Sequence, residues 1–234
     1  MKLNRLLFIT VILSAVAVQS QTTQKNNQLE FSVGNNFGYL KNLEFAPVVL
    51  YEYNALVYKL DYIHTSKKGS LFEVELDYFS TELKTNKLSN LNTDYYKAGM
   101  SFSYLKQVYK KDRLAIHAGL QSQTTFSSYQ NEDYISFHQE FGIGSRFNYQ
   151  LNDKQYLSSK ITVPVVLLRA TNADGKFYTL NNYQSILWDL EYGYKLSNHF
   201  DVKATYNFNY ARLQVPGAYR ELQHQINIGI NYKF

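Results

Sequence analysis

From Gln28 to the C-terminus, polar and apolar residues alternate, which is the pattern of β-strands with two different faces. In the segment 70–82, for example, apolar side chains alternate with acidic ones. The apolar members are Phe72, Val74, Leu76 and Tyr78, and the acidic members are Glu73, Glu75 and Asp77. Ten such runs can be delimited: 28–40, 50–64, 70–82, 93–107, 112–127, 134–150, 153–170, 182–196, 199–212 and 221–234. The alternation predicts an all-β fold.

The apolar face of these runs carries no charge at its middle. Charged residues are expected on this face only near run ends, as with Lys106 and Arg169, while Asn35 and Gln139 are polar exceptions. A Lys or Arg that faces lipid at mid-depth costs about 2–4 kcal/mol, so the distribution indicates a wall surrounded by lipid. Alternation alone is also found in soluble sandwiches, and the missing charges are what favours a membrane barrel.

The connections between the runs alternate in length. Tight links are expected at 65–69, 110–111, 152 and 197–198, and longer ones at 41–49, 83–92, 128–133, 171–181 and 213–220. Short turns on one side and longer loops on the other are typical of outer-membrane barrels. An even number of strands then places both termini on the side of the short turns, which is the periplasm.

Glycine placement favours closure of the sheet. Eight of the eleven glycines lie within runs, all on the polar face: Gly34, Gly38, Gly99, Gly119, Gly142, Gly144, Gly193 and Gly229. Glycine within a strand relieves crowding and permits bending, which the concave wall of a small barrel requires. Pro164 cannot donate to a ladder and predicts a bulge or edge irregularity. The predicted fold is a closed antiparallel up-and-down transmembrane β-barrel of about ten strands, with eight or twelve as alternatives.

Residues 1–20 have the layout of a secretory signal peptide. Lys2 and Arg5 form a basic start, residues 6–18 form an apolar core, and small residues follow. The core is short for a membrane span, although an uncleaved anchor helix is the competing interpretation. Cleavage is expected after Ser20, with Ala17 as the alternative. The chain is accordingly divided into a signal peptide (1–20), a short periplasmic segment (21–27) and an outer-membrane barrel (28–234).

The last run alternates up to its final aromatic residues, Tyr232 and Phe234. This ending resembles the C-terminal assembly signal of bacterial outer-membrane proteins, and the Tyr- and Asn-rich strands resemble porin-like barrels of the Bacteroidota. The resemblance implies insertion by the barrel-assembly machinery. Tyrosines near both ends of the apolar face are expected to form interfacial girdles: Tyr62, Tyr78, Tyr96, Tyr104, Tyr149, Tyr192, Tyr194, Tyr210 and Tyr232.

The polar face is expected to line the lumen, where its charges nearly balance. The acids are Asp61, Glu73, Glu75, Asp77, Glu140, Asp189, Glu191 and Asp201. The bases are Lys59, Lys97, Arg113, Arg146, Lys160, Lys195 and Lys203. Because a small barrel has little interior space and unpaired buried charges are costly, these side chains are expected to pair in a lumen network.

Ser136, His138 and Glu140 share the polar face of one run and have the residue types of a hydrolytic triad. Same-face neighbours on a strand stand about 6.5–7 Å apart, and a Ser–His contact needs about 2.6–3.2 Å. A direct relay along the strand is therefore not expected. Omptin proteases and outer-membrane lipid deacylases are small barrels with His and acidic residues, but the omptin Asp–x–His element is missing here. His117, with His138 and Glu140, is a weaker pattern for a metal site.

The remaining composition narrows the function classes. The chain has no Cys and no nucleotide, phosphate-loop or zinc motif, and its net charge of +5 is dispersed. No cofactor, metal ion or nucleic acid is therefore expected. The expected partners are outer-membrane lipid, the barrel-assembly machinery and another envelope protein. A structural or accessory role without enzymatic activity is preferred, and a narrow channel for small solutes or a hydrolase (lipid deacylase or protease) are the alternatives.

Overall fold

The computed structural model describes residues 26–44, 50–87, 91–129, 134–171, 175–214 and 218–234. The predicted signal peptide lies outside the described residues. The strands are β1 (Asn27–Asn42), β2 (Tyr51–Thr65), β3 (Leu71–Leu83), β4 (Thr93–Lys111), β5 (Leu114–Tyr129), β6 (Tyr134–Gln150), β7 (Gln155–Thr171), β8 (Gly175–Thr179), β9 (Tyr183–Lys195), β10 (Phe200–Leu213) and β11 (Tyr219–Lys233). No helix in these ranges is long and apolar enough to cross a membrane.

Ten of these strands form a closed antiparallel barrel. Sequential neighbours pair from β1 to β7, β7 pairs with β9, and β11 returns to pair with β1. The closing seam runs from Gln28↔Lys233 to Asn42↔Tyr219 without a register shift. The predicted ten-stranded up-and-down barrel is confirmed. The first described residues, at the start of β1, and the C-terminal Phe234 lie at one end of the barrel, here called the terminal end, and the opposite end is called the loop end.

The short strand β8 was not predicted, because it lies in the segment 171–181 that was expected to be a loop. It pairs with β7 from Val166↔Thr179 to Ala170↔Gly175. The partner of β7 nearer the terminal end is β9, from Gln155↔Tyr194 to Thr162↔Leu187. β8 and β9 are both antiparallel to β7 and pair with successive parts of it. β8 therefore continues the position of β9 towards the loop end and does not add a strand to the barrel.

A bulge in β7 changes which of its residues face inward. In the pairing with β6, Phe141 is opposite Val166 but Gly142 is opposite Pro164, so one residue of β7 has no paired residue on β6. One extra residue moves every following side chain to the other face. Arg169 is consequently buried, with 3% exposure, and its predicted position on the outer apolar face is wrong. The irregularity predicted at Pro164 is confirmed.

The turn between β4 and β5 lies two residues later than predicted. β4 continues to Lys111, and the turn consists of Asp112 and Arg113. Asp112 has a φ of 48°, a left-handed conformation that Asp adopts more readily than most residues. Arg113 is therefore a turn residue at the terminal end and not a member of a strand.

The outer face of the wall has the predicted apolar character, and the lumen face carries the predicted charges at mid-barrel. Apolar side chains such as Leu120 and Ile228 point outward and are 69% and 68% exposed. The outward amide of Gln139 accepts a hydrogen bond from Thr124 (2.5 Å) and donates one to Ser122 (2.7 Å), so it is paired within the wall. Inward, a Cβ at Gly99 would collide with the carboxylate of Asp77, and this glycine leaves room for a charged lumen side chain.

Candidate functional site

The lumen changes character along the barrel axis. At the terminal end it forms a vestibule with a volume of about 580 Å³. Charged side chains cross the middle of the lumen, and a cluster of aromatic and aliphatic side chains fills the loop end. The lumen therefore has three levels along its axis.

A continuous chain of ion pairs crosses the lumen. It runs through Lys160, Glu73, Arg146, Glu191, Lys203 and Glu30, with successive N–O distances of 2.8, 2.5, 3.3, 3.2 and 2.7 Å. The six residues come from β7, β3, β6, β9, β10 and β1, so the chain joins distant parts of the wall. It contains three cations and three anions, and its formal charge is balanced. We call these six residues the ion-pair chain.

Two further ion pairs lie between the ion-pair chain and the loop end. Lys59 pairs with Glu75 at 3.1 Å on the neighbouring strand. Lys97 of β4 pairs with Glu221 of β11 at 2.7 Å, although three strands separate β4 from β11 around the wall. The hydroxyl of Tyr219 donates to the same Glu221 carboxylate at 2.5 Å. The buried Glu221 charge is thus both paired and hydrogen-bonded, as a stable buried charge requires.

The structure brings eight of the fifteen predicted lumen charges into these ion pairs: Lys59, Glu73, Glu75, Lys97, Arg146, Lys160, Glu191 and Lys203. A ninth, Asp201, pairs with Lys233, and Glu140 accepts a hydrogen bond from Tyr183. Asp61, Asp77 and Asp189 are half-buried on the lumen face and form no ion pair with the described residues, although Asp189 accepts a hydrogen bond from Asn207 at 2.6 Å.

The other two predicted network residues lie at the terminal end, outside the ion-pair chain. Arg113 donates to the carbonyl of Leu151 at 2.9 Å, and Lys195 donates to the carbonyl of Asp153 at 3.3 Å. Sequence reasoning missed three charged lumen residues, Glu30, Glu221 and Lys233, and misplaced Arg169. The alternation signal was present for the first three, because each has the same parity as the inward glycine of its strand.

The loop-end cluster occupies the opposite end of the lumen. Its buried members are Leu40, Tyr51, Tyr53, Ala55, Val57, Phe79, Leu83, Tyr95, Tyr129, Leu167, Tyr178, Tyr183, Ala211, Leu213 and Tyr219. Ring centroids are 5.7 Å apart for Tyr53–Phe79 and 4.9 Å for Tyr95–Tyr129, which are distances of favourable aromatic packing. The expectation of a polar lumen face along its whole length is therefore wrong at this end.

Two small cavities lie between these levels. A cavity among ion-pair residues such as Glu30, Lys59 and Glu73 has a volume of about 50 Å³. Another of about 50 Å³ lies near Asp77 and Lys97. Volumes of this size hold a few water molecules at most. Each of these two cavities is therefore less than a tenth of the volume of the vestibule.

Ser136 and His138 form the contact that strand spacing had argued against. Ser136 Oγ lies 3.0 Å from His138 Nε2, because the imidazole reaches back along the strand. Both residues are buried, and Glu140 accepts a hydrogen bond from Tyr183 at 2.6 Å. His117 lies elsewhere, with its Nε2 3.0 Å from the carbonyl of Gly69. Among the described residues, no three His, Asp or Glu side chains form a group that could hold a metal ion.

The C-terminal residues take part in the closing seam. The amide of Phe234 donates to the carbonyl of Asn27 at 3.0 Å, and the rings of Tyr232 and Phe234 stack with centroids 5.7 Å apart. The predicted assembly signal therefore lies next to the first strand of the folded barrel.

Comparison with solved structures agrees with this architecture. The outer membrane protease OmpT from Escherichia coli has a TM-score of 0.59 over 92% of this chain and 99% of OmpT, at 11% sequence identity. The fold is that of an outer-membrane β-barrel. The translocator domain of the autotransporter NalP from Neisseria meningitidis matches with a TM-score of 0.49 over 97% of this chain and 95% of that domain, at 11% identity.

An outer membrane channel from Pseudomonas putida F1 matches with a TM-score of 0.48 over 93% of this chain and 98% of the channel, at 7% identity. No protein-family model matches the sequence, and no curated protein does. Because the identities are so low, the likeness concerns the fold and does not extend to an activity.

Proposed function

We propose that this chain is a non-enzymatic integral outer-membrane barrel that serves as a structural or accessory envelope protein. Its lumen is closed to solutes, its termini face the periplasm, and its partners are outer-membrane lipid, the barrel-assembly machinery and another envelope protein. The observation that carries the proposal is the ion-pair chain, which links residues of six strands across the lumen. The interior serves to hold the wall together.

A conducting lumen would require this interior to be rearranged. Opening a path would separate charges such as Glu73 and Arg146, now 2.5 Å apart, and removing one partner from a buried pair is costly. The loop-end cluster would also have to move, with its fully buried rings of Tyr95 and Tyr129. Two barriers of different chemistry therefore lie in series along the axis, and both favour a closed barrel over a channel.

A hydrolase is the second candidate, because Ser136 and His138 are in hydrogen-bond contact and OmpT is a protease. Several observations favour the non-enzymatic role. Ser136 is 3% exposed, His138 is 8% exposed, and Glu140 is bound to a tyrosine hydroxyl. A nucleophile needs a base and also access to its substrate, and the described surroundings of Ser136 give it little access.

Single-cysteine labelling tests both the closure and the orientation, and it is clean because the chain has no native Cys. Three variants are Lys87→Cys at the loop end, Lys68→Cys at the terminal end and Ser101→Cys on the lumen face. In intact cells, a membrane-impermeant maleimide is expected to label only the Lys87→Cys protein. Lys68→Cys is expected to react after the outer membrane is permeabilised, and Ser101→Cys only after unfolding.

The labelling of each cysteine variant could contradict the proposal. Labelling of Lys68→Cys but not Lys87→Cys in intact cells would reverse the orientation. Labelling of Ser101→Cys in the folded protein, at a rate similar to that of Lys68→Cys, would show that the lumen is open to small solutes. Heat-modifiable mobility on gels confirms that every variant is folded before the rates are compared.

A further inference from the structure

The vestibule at the terminal end is the largest of the cavities described above, and its lining is strongly basic. Eight of its lining residues are Lys or Arg, and two are acidic, Asp112 and Glu191. Such an excess does not arise from the chain as a whole, which has 24 basic and 19 acidic residues. The basic excess is concentrated in this cavity, whereas the charges of the ion-pair chain balance.

The cations of the vestibule fall into two groups. Arg146, Lys203 and Lys233 form the floor and are paired with acids of the lumen: Glu73 and Glu191, Glu30 and Glu191, and Asp201, respectively. The basic rim consists of Lys67, Lys68, Lys110, Arg113 and Lys195. Within the described residues, none of these five takes part in an ion pair. Arg113 and Lys195 donate hydrogen bonds to backbone carbonyls. Because a carbonyl is neutral, the positive charges of Arg113 and Lys195 are not compensated.

The turns that carry the basic rim fix it around the mouth. Lys67 and Lys68 stand between β2 and β3, in a turn closed by a hydrogen bond from Gly69 N to the carbonyl of Ser66 at 2.9 Å. Lys110 is the second-last residue of β4, Arg113 lies in the following turn, and Lys195 ends β9. Positive charges therefore approach the cavity from three sides. A concave site with low-dielectric walls focuses such a field and raises the local concentration of anions.

The volume and the lining indicate the class of ligand. About 580 Å³ is within the range of small-molecule sites. The lining also includes the neutral hydrogen-bonding side chains of Gln28, Asn148 and Gln150. Lysine ammonium groups bind phosphate as point charges and the arginine fork binds its oxygens in pairs. Several cations around one cavity favour a multivalent anion over a monovalent one.

We propose that the vestibule is a binding site for a phosphate-bearing polyanion, held by the basic rim above the paired floor. The phosphate groups come either from a soluble compound or from a phospholipid whose headgroup carries at least two negative charges. This proposal goes beyond the structural role of the barrel. It does not depend on the closure of the lumen, because the ligand enters and leaves by the same mouth.

The test uses the full barrel, refolded in zwitterionic detergent at low ionic strength, with sodium tripolyphosphate titrated by calorimetry. Wild-type protein is expected to bind it at one site, with an affinity that falls as salt is added. Lys67→Gln/Lys68→Gln is expected to weaken binding about tenfold, since two charges near the ligand are lost. The matched double variant Lys84→Gln/Lys87→Gln, at the loop end, is expected to bind like wild type, as is Lys67→Arg/Lys68→Arg.

A parallel arm distinguishes the two sources of phosphate. Native mass spectrometry compares the retention of cardiolipin, which has two phosphate groups, and phosphatidylcholine by the same four proteins. Retention of cardiolipin that is lost only in Lys67→Gln/Lys68→Gln assigns the site to a lipid headgroup. Tripolyphosphate binding without such retention assigns it to a soluble compound. The proposal is overturned if neither probe binds, or if both Gln double variants weaken binding equally.

Discussion

The variant Glu73→Ala is expected to lower the free energy of unfolding by about 3–5 kcal/mol, because it leaves buried charges without their partner. The Glu73 carboxylate lies 2.5 Å from Arg146 and 2.8 Å from Lys160, and each of the three side chains is at most 11% exposed. After the substitution, two cations face each other with the anion between them removed. The measurement is urea unfolding in lipid vesicles, followed by the fluorescence of the single Trp, Trp188.

The matched control for Glu73→Ala is Glu82→Ala, which removes a carboxylate from an exposed ion pair. Glu82 lies 3.5 Å from Lys84, and the two side chains are 47% and 68% exposed. Such pairs contribute about 0–1 kcal/mol, so little change is expected. Pairing Glu73→Gln with Lys160→Met should recover part of the lost stability, because the formal charge of the lumen is restored. Equal losses for Glu73→Ala and Glu82→Ala would contradict the importance of the ion-pair chain.

The variant Tyr129→Ala is the second change with a large expected effect. Its ring is fully buried at the loop end and lies 4.9 Å from the ring of Tyr95 and 5.4 Å from that of Tyr134. Truncating a buried aromatic side chain leaves a cavity and costs about 3–5 kcal/mol. The same vesicle-based urea unfolding measures the loss.

Tyr78→Ala is the matched control for Tyr129→Ala, since Tyr78 is 45% exposed on the outer face. Lipid can fill the space that this ring leaves, so no internal cavity forms and a smaller loss is expected. If Tyr78→Ala were as destabilising as Tyr129→Ala, the loop-end cluster would not be a packed part of the barrel interior.

The architecture of this barrel could be predicted from sequence because a two-residue period survives along nearly every strand. Whether a residue faces inward or outward followed from whether its number is odd or even within its strand. This rule holds as long as no extra residue is inserted into the strand. Arg169 is a residue for which this rule fails. The bulge beside Pro164 reverses parity for the rest of β7, and the sequence marks the proline without saying where the extra residue is accommodated.

The pairing of the lumen side chains was less predictable, because each side chain pairs with residues across the barrel that are distant from it in sequence. Lys97 and Glu221 are 124 residues apart in sequence and meet because β4 and β11 lie across the lumen from each other. The loop-end cluster does leave a local signal. Tyr51, Tyr53 and Val57 have the same parity as Lys59, so the lumen face becomes apolar towards one end of β2. Alternation by itself distinguishes two faces but does not show that one of them changes character.

Ser136 and His138 illustrate a further limit of spacing arguments. Strand geometry fixes the separation of Cα atoms, whereas a long side chain can close several ångströms of it, as the 3.0 Å contact shows. The location of the contact, buried in the lumen, decided the proposed role more than the residue types did.

Planar-bilayer recording of the purified wild-type barrel tests the closed lumen most directly, with a general porin incorporated under the same conditions as the positive control. The ion-pair chain and the loop-end cluster predict no discrete conductance steps, while insertion is verified by recovering folded protein from the bilayer lipid. Reproducible single-channel steps from the folded wild-type protein would contradict the account, since ions would then have a continuous path past both barriers.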